Sequence, residues 1–203
     1  MSKTQQQGKL SINTTNILPI IKKWLYSDHD IFIRELVSNA FDAITKRQKL
    51  TTLESDITFD ETPEISIRID KKKKTLTISD NGVGMTAEEV EKYITQIAFS
   101  GAEDFVKKYE SEDKDAGIIG HFGLGFYSSF MVASSVEIQT LSSSKDAKPV
   151  YWRCDGETDY VIDKGTRTTV GTDIILFIDK EGKEFLEESK VEELLKKYAN
   201  FLP

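Results

Sequence analysis

With a single cysteine, Cys154, in 203 residues, the chain can form neither an internal disulfide nor a cysteine-rich metal site, which suits a reducing compartment. Long apolar runs are missing too. No stretch approaches the length of a membrane span, and Met1-Ser2-Lys3-Thr4-Gln5-Gln6-Gln7 lacks the apolar core of a signal peptide, so the cytoplasm is the expected location. An excess of positive charge is also lacking. The 27 basic residues are outnumbered by 34 acidic ones, leaving a formal charge of −7, which argues against a general binder of polyphosphate backbones and against nucleic acid as a partner. No internal repeat and no Pro/Gly/Ser linker divides the chain. With 38% apolar and 10% aromatic residues it has enough for a sizeable core, and one compact domain over 1–203 is expected.

What is present alternates between two periodicities. Ile17, Ile20, Ile21, Trp24 and Leu25 predict an amphipathic helix within Leu10–Tyr26, interrupted only by Pro19 near its start. Ser27 reads as the N-cap of a second helix, with Asp30 as its acidic partner three residues on. Ile65, Ile67 and Ile69, then Lys71 to Lys74, then Leu76 and Ile78, predict a β-hairpin with a charged, solvated turn. Further strands are predicted at Val136–Leu141, Val150–Cys154, Tyr160–Ile162 and Asp173–Ile178, with short links that favour antiparallel pairing. Glu184 to Phe201 predicts a final helix, with Pro203 just beyond it. Glu103 to Ala116, a run of Asp, Glu and Lys, reads as the most solvated part of the chain. It lies between Ser100-Gly101 and the glycines of Gly117 to Gly125, and reads either as a hinged cover or as an exposed helix with ordinary loops.

Three clusters can carry chemistry. On the second helix, Glu35, Asn39 and Asp42 fall at i, i+4 and i+7, so three short polar groups share a stripe beside Leu36, Ala40 and Ala43. A solvated helix face would carry long, mixed charges instead. In Thr75-Leu76-Thr77-Ile78-Ser79-Asp80 the period of two puts Asp80 on the core-facing side with Leu76 and Ile78. A buried carboxylate needs donors, and the amino group of a bound heterocycle can supply one. Asn81-Gly82-Val83-Gly84-Met85 follows, either a simple strand-end turn or a place where backbone approaches a flat ligand beside an adaptable methionine wall. Gly120-His121-Phe122-Gly123-Leu124-Gly125-Phe126 precedes a helix-like stretch at Tyr127 to Val132, an arrangement that can present N–H groups to phosphate oxygens. Its glycines match neither a P-loop nor a dinucleotide fingerprint.

Together these motifs resemble the ATP-binding fold of type II topoisomerases, MutL, histidine kinases and heat-shock protein 90 chaperones, the GHKL or Bergerat-type fold. The wording of Ile31-Phe32-Ile33-Arg34-Glu35-Leu36-Val37-Ser38-Asn39-Ala40, Asp80-Asn81-Gly82-Val83-Gly84-Met85 and Ile119 to Ser128 is most similar to the N-terminal domain of the heat-shock protein 90 family, in its bacterial form, over nearly the whole chain. The fold then expected is α+β: a two-layer sandwich with a mainly antiparallel, twisted sheet covered on one face by helices. The resemblance implies that Glu35 is the general base that activates water, and that Asn39 ligates Mg²⁺ through its amide oxygen. It implies that Asp80 accepts from the adenine amino group, with Thr172 supporting it. Asp42, Ala43, Lys46, Gly84 and Met85 would line the pocket. Gly123, Leu124, Gly125 and Phe126 would meet the phosphates of ATP or ADP, and about 97–125 would form a lid.

The implied function is that of a chaperone's ATPase motor, in which lid closure pairs two N-terminal domains while client proteins are handled elsewhere in the molecule. Since the chain stops at Pro203, without the middle-domain arginine or the C-terminal dimerisation region, the domain alone is expected to be monomeric and a very weak hydrolase. There are departures from the family wording. Phe99 and Ala102 stand where lysine and threonine are common before the lid, Tyr93 aligns with an asparagine that often touches nucleotide, and His121 replaces a common glutamine. Competing readings are a histidine kinase's catalytic domain, a non-hydrolysing nucleotide sensor and a DNA-topology ATPase. Asp28-His29-Asp30 reads as capping rather than a metal site, and Trp24, Trp152 and Cys154 read as structural.

Overall fold

The computed structural model describes residues 29–95, 125–156 and 159–200. The first expected helix, Ser27, Trp24, residues 97–124 of the expected lid, Phe201 and Pro203 therefore lie outside the described residues. Helix α1 spans Ile31–Leu53, an unbroken run with neither glycine nor proline, and buries Phe32, Ile33, Leu36, Val37, Ala40, Ile44 and Leu50 along one face. Its cap differs from the expectation. Asp30 occupies the N-cap position, not Ser27, and makes no side-chain capping bond. Its carboxylate instead faces Lys190 Nζ at 3.6 Å and Lys197 Nζ at 3.7 Å, so it ties the start of α1 to the last helix.

Among the described residues six antiparallel strands follow: β1 (Ile65–Asp70), β2 (Thr75–Asp80), β3 (Ala133–Leu141), β4 (Val150–Cys154), β5 (Tyr160–Lys164) and β6 (Gly171–Ile178), in the order β1-β2-β6-β3-β4-β5. The β1–β2 hairpin is as predicted, and Asp70 Oδ1 accepts the N–H groups of Lys72 (2.9 Å) and Lys73 (3.0 Å) to close the exposed lysine turn. The last strand, β6, inserts between β2 and β3. It pairs Asp80 with Thr172 on one side and Thr140 with Thr172 on the other, which brings three chain-distant polar residues to one end of the sheet.

The alternation of β2, β6 and β3 gives the sheet two unlike faces. Leu76, Ile78, Leu176, Val136 and Ile138 point to the helices and are at most 2% exposed, whereas Ser79, Asp173, Glu137 and Gln139 lie on the other face. α1 packs on the apolar face with Phe185, whose ring meets Phe32 edge-on at 4.9 Å. Each such fully buried large side chain contributes roughly 1.5–3 kcal/mol. The expected final helix is broken: a 3₁₀ turn at Lys183–Leu186 precedes α3 (Glu188–Tyr198), with Glu187 extended between them. The break lets Phe185 and Leu186 plug the core while α3 turns its own face, Val191 and Leu194, inward. A short helix α2 (Ala87–Tyr93), started by a Thr86/Glu89 capping box, was not foreseen. The stretch after the glycine-rich segment is a 3₁₀ helix, Gly125–Met131.

Candidate functional site

The stripe on α1 runs along the edge of the core. Asp42 is buried, while Glu35 and Asn39 are half-buried farther toward the helix start. Glu35 Oε1 accepts from Arg34 Nη2 at 2.6 Å and Nε at 3.1 Å. Gly125 lies directly against the same carboxylate: a Cβ there would stand 2.5 Å from Glu35 Oε2. The helix acid and the end of the glycine-rich segment, 90 residues apart in sequence, thus meet in space.

Asp80 closes β2 on the core-facing side and is 7% exposed. Its Oδ1 accepts the Gly82 N–H at 2.8 Å. Burial pushes its pKa from the ordinary 3.8 up to about 7; the Gly82 and Thr172 N–H groups and the Arg167 charge work against that rise, and Asp173 adds to it. The turn after Asp80 is pressed onto α1. Val83 N–H donates to the Ala43 carbonyl at 2.9 Å, and a Cβ on Gly82 would come within 2.5 Å of the Ala43 backbone. Gly84 adopts φ +63 where a Cβ would collide with the Leu141 carbonyl at 1.9 Å, so only glycine fits. Met85 N–H donates to Thr140 Oγ1 at 2.9 Å, and the Thr140 and Thr172 hydroxyls lie 3.0 Å apart. Asp80, Gly82, Gly84, Met85 and Thr172 are therefore one construction, docked on Ala43.

Burial lowers the pKa of Lys46, one turn beyond Asp42, and the charges of Asp42 and Glu89 raise it. Phe126 is deep in the core, edge-on to Trp152 at 5.5 Å, so of this residue only the backbone can face a ligand. Gly123 and Leu124 lie outside the described residues, as do Phe99, Ala102 and His121. Tyr93 ends α2, its ring under Lys92 Nζ at 5.2 Å. Trp152 and Cys154 are buried in the core, as expected. Among the described residues no group of three or more His, Cys, Asp or Glu side chains could hold a metal ion, and no helix is long and apolar enough to cross a membrane.

Three residues that sequence reasoning missed brace the site. Arg47, 5% exposed, donates to the carbonyls of Asn81 (2.8 Å) and Thr58 (3.0 Å). Thr140 joins Met85 to Thr172. Arg167 Nη2 donates to the Asp80 carbonyl at 2.8 Å. The only sequence signal for Arg47 is its place on the buried face of α1, five residues beyond Asp42; for the others there is none, because the contacts that tie them to the site, Met85 N–H for Thr140 and the Asp80 carbonyl for Arg167, are to chain-distant backbone groups.

The arrangement fits a nucleotide: a buried carboxylate whose lone pairs exceed the two backbone N–H groups that reach it, two glycines whose missing side chains bring backbone close, and an acid set against Gly125. Comparison with known proteins agrees. Residues 26–169 match the family model described as histidine kinase-, DNA gyrase B-, and HSP90-like ATPase. The chain is 57% identical over 199 residues to a chaperone protein HtpG of Bacteroides thetaiotaomicron, covering 98% of this chain and 28% of that protein. Against HtpG of Porphyromonas gingivalis the identity is 52% over 200 residues, 97% of this chain and 28% of the other. A mitochondrial TNF receptor-associated protein 1 homolog of Dictyostelium discoideum is 42% identical over 198 residues, 96% and 28% respectively. The chain thus spans just over a quarter of the length of the curated relatives it matches. The chain therefore belongs to the histidine kinase-, DNA gyrase B- and HSP90-like ATPases, and along nearly all of its length it is similar to the N-terminal part of HtpG chaperone proteins.

Proposed function

We propose that this chain is the nucleotide-binding and ATPase domain of a cytoplasmic HSP90-type chaperone that binds Mg²⁺ with ATP or ADP. The observation that carries the reading is the pairing of two carboxyl groups at opposite ends of one site: Asp80, buried at the strand end, and Glu35, set against Gly125. Asp80 accepts from the adenine amino group, with Thr172 beside it, while Gly84 and Met85 form the wall under the base. Asp42, Ala43 and Lys46 line the middle. Glu35 orients and deprotonates the attacking water, and the Gly123–Phe126 backbone donates to phosphate oxygens. Asn39 offers a neutral oxygen ligand suited to Mg²⁺, which when bound neutralises phosphate charge. In the longer protein, closure of a lid at about 97–125 would pair two such domains and couple nucleotide turnover to client folding; this domain alone would be monomeric and nearly inactive in hydrolysis.

The test has two parts. In calorimetry, wild type should bind ADP and Asp80→Asn should lose at least tenfold in affinity, in line with a charge-assisted hydrogen bond of roughly 1.5–3 kcal/mol. Equal affinities would remove the adenine contact. In a protein that includes the remaining domains, Glu35→Ala should keep nucleotide binding while hydrolysis falls by about 10²-fold or more. Retained turnover would count against the assigned base, and phosphate transfer to a histidine would favour a kinase instead.

A further inference from the structure

We propose that Arg167 is a positioning residue for base recognition: its guanidinium fixes the strand end from which the Asp80 carboxylate meets the purine amino group. The inference rests on the reading of Asp80 given above. Arg167 lies in the connection between β5 and β6, yet its side chain is only 11% exposed. All three of its nitrogens are engaged. Nε donates to the Thr169 carbonyl at 3.0 Å, which bends the connection back on itself. Nη2 donates to the Asp80 carbonyl at 2.8 Å, and Nη1 pairs with the Asp173 carboxylate. The fork therefore spans from the last residue of β2 to the third residue of β6.

Geometry makes this more than a surface ion pair. Asp80 and Asp173 lie on opposite faces of the sheet, since Asp80 is in register with Thr172 and Ser79 with Asp173. Arg167 thus grips the Asp80 peptide from behind while the carboxylate projects forward. Gly171 makes the grip possible: at φ +125 a Cβ there would lie 2.1 Å from the Asp80 carbonyl oxygen and 2.8 Å from Arg167 Nη2. The guanidinium also sets its positive charge close to a carboxylate that burial discourages from ionising, and Asp173 partly offsets that charge. A planar guanidinium can satisfy several acceptors at fixed angles, whereas a lysine ammonium cannot reproduce the fork.

The readout is base discrimination rather than affinity alone. Binding of ADP and of inosine diphosphate, whose ring carries a carbonyl where adenine has the amino group, is measured by calorimetry on the 203-residue chain. Wild type preferring ADP, and Asp80→Asn losing that preference, supports the underlying assignment; if wild type binds neither, or Asp80→Asn keeps the preference, that assignment fails whatever Arg167 does. With it standing, Arg167→Met should lower the ADP-to-inosine-diphosphate affinity ratio about tenfold, mainly through ADP. Arg167→Lys should recover little of it. An unchanged ratio in Arg167→Met, whether both affinities hold or both fall together, overturns the proposal, and full recovery by lysine overturns the fork. Should Arg167→Met fail to fold, Asp173→Asn, which keeps the arginine but loosens one arm, should lower the ratio by a smaller factor; no change there also overturns it.

Discussion

The proposed base end and the proposed phosphate end of the site are built differently. At the base end the carboxylate and its turn are held by backbone and braced by buried side chains: Asp80 by the β2–β6 ladder and the Gly82 N–H, the turn by Val83 on Ala43 and by Ser143 N–H on the Val83 carbonyl at 2.8 Å, with Thr140, Arg47 and Arg167 bonded to the same segments. At the phosphate end, the acid that performs the proposed chemistry stands on a stiff helix, but its carboxyl tip is held by Arg34, whose side chain is 47% exposed. Exposed ion pairs of this kind contribute at most about 1 kcal/mol. Recognition is thus preorganised in a buried lattice of main-chain bonds. The carboxylate proposed to be catalytic keeps a tip that a small push can displace. Substitutions that disturb the packed backbone at the base end should therefore cost stability and binding together, whereas those at the phosphate end should cost turnover alone.

The largest effect is expected at Gly84. An alanine there must hold a left-handed φ and press its Cβ into the Leu141 carbonyl, among backbone atoms of Leu141 and Ser142 with no flexible tip to yield. Strain and overpacking together should lower stability by on the order of 3 kcal/mol or more, read as a drop in the urea midpoint, with ADP affinity lost as well. An unchanged midpoint would mean that the turn is not wedged between α1 and the end of β3.

Asp80→Asn should have the next largest effect, and in the opposite direction for the ligand-free fold. With the folded-state pKa raised to about 7 from 3.8, the folded protein holds the Asp80 proton more tightly than the unfolded chain does. Wild-type stability should therefore fall as pH rises from about 4 to about 7, and the asparagine variant should be spared that loss. The variant should be more stable at pH 8, by up to about 4 kcal/mol, with no gain at pH 4. Urea titrations at the two pH values measure it, and equal gains at both would contradict a buried, reluctantly ionised Asp80. The residue that destabilises the fold is the one proposed to bind the base, as expected where a site is optimised for a ligand rather than for the fold.

What could be read from sequence follows the range of the interactions involved. The β1–β2 hairpin was legible because alternation and the lysine turn are local, and the stripe of Glu35, Asn39 and Asp42 because helical spacing is fixed. Asp80 was placed on the correct face by the period of two alone. Insertion of β6 between β2 and β3 was not legible, since it depends on non-local pairing that no short motif encodes. The break at Glu187 was hidden for a related reason: a continuous helical pattern is overridden when Phe185 has a core socket beside Phe32. Arg167, Arg47 and Thr140 reach the site through main-chain atoms of distant segments, the Asp80 and Asn81 carbonyls and the Met85 N–H, and main-chain atoms leave no trace in residue type. The N-cap falls at Asp30 rather than Ser27, and the Asp30 carboxylate, instead of capping, faces Lys190 and Lys197, a long-range contact that local spacing does not encode.

Gly125→Ala should have the smallest effect on the fold and gives the most direct test of the contrast between the two ends. The added Cβ would meet Glu35 Oε2 at 2.5 Å, but a carboxylate tip can rotate away where the Leu141 backbone cannot. Stability should therefore change by less than about 1 kcal/mol, and ADP affinity by less than about threefold. Turnover of a protein containing the remaining domains should nonetheless drop about tenfold, because a water held by a displaced base is no longer aligned for attack. If the alanine variant instead unfolded like Gly84→Ala, the phosphate end would be as tightly packed as the base end and the proposed division of labour would be lost. If it turned over at the wild-type rate, Glu35 would not be acting from the position in which Gly125 meets it.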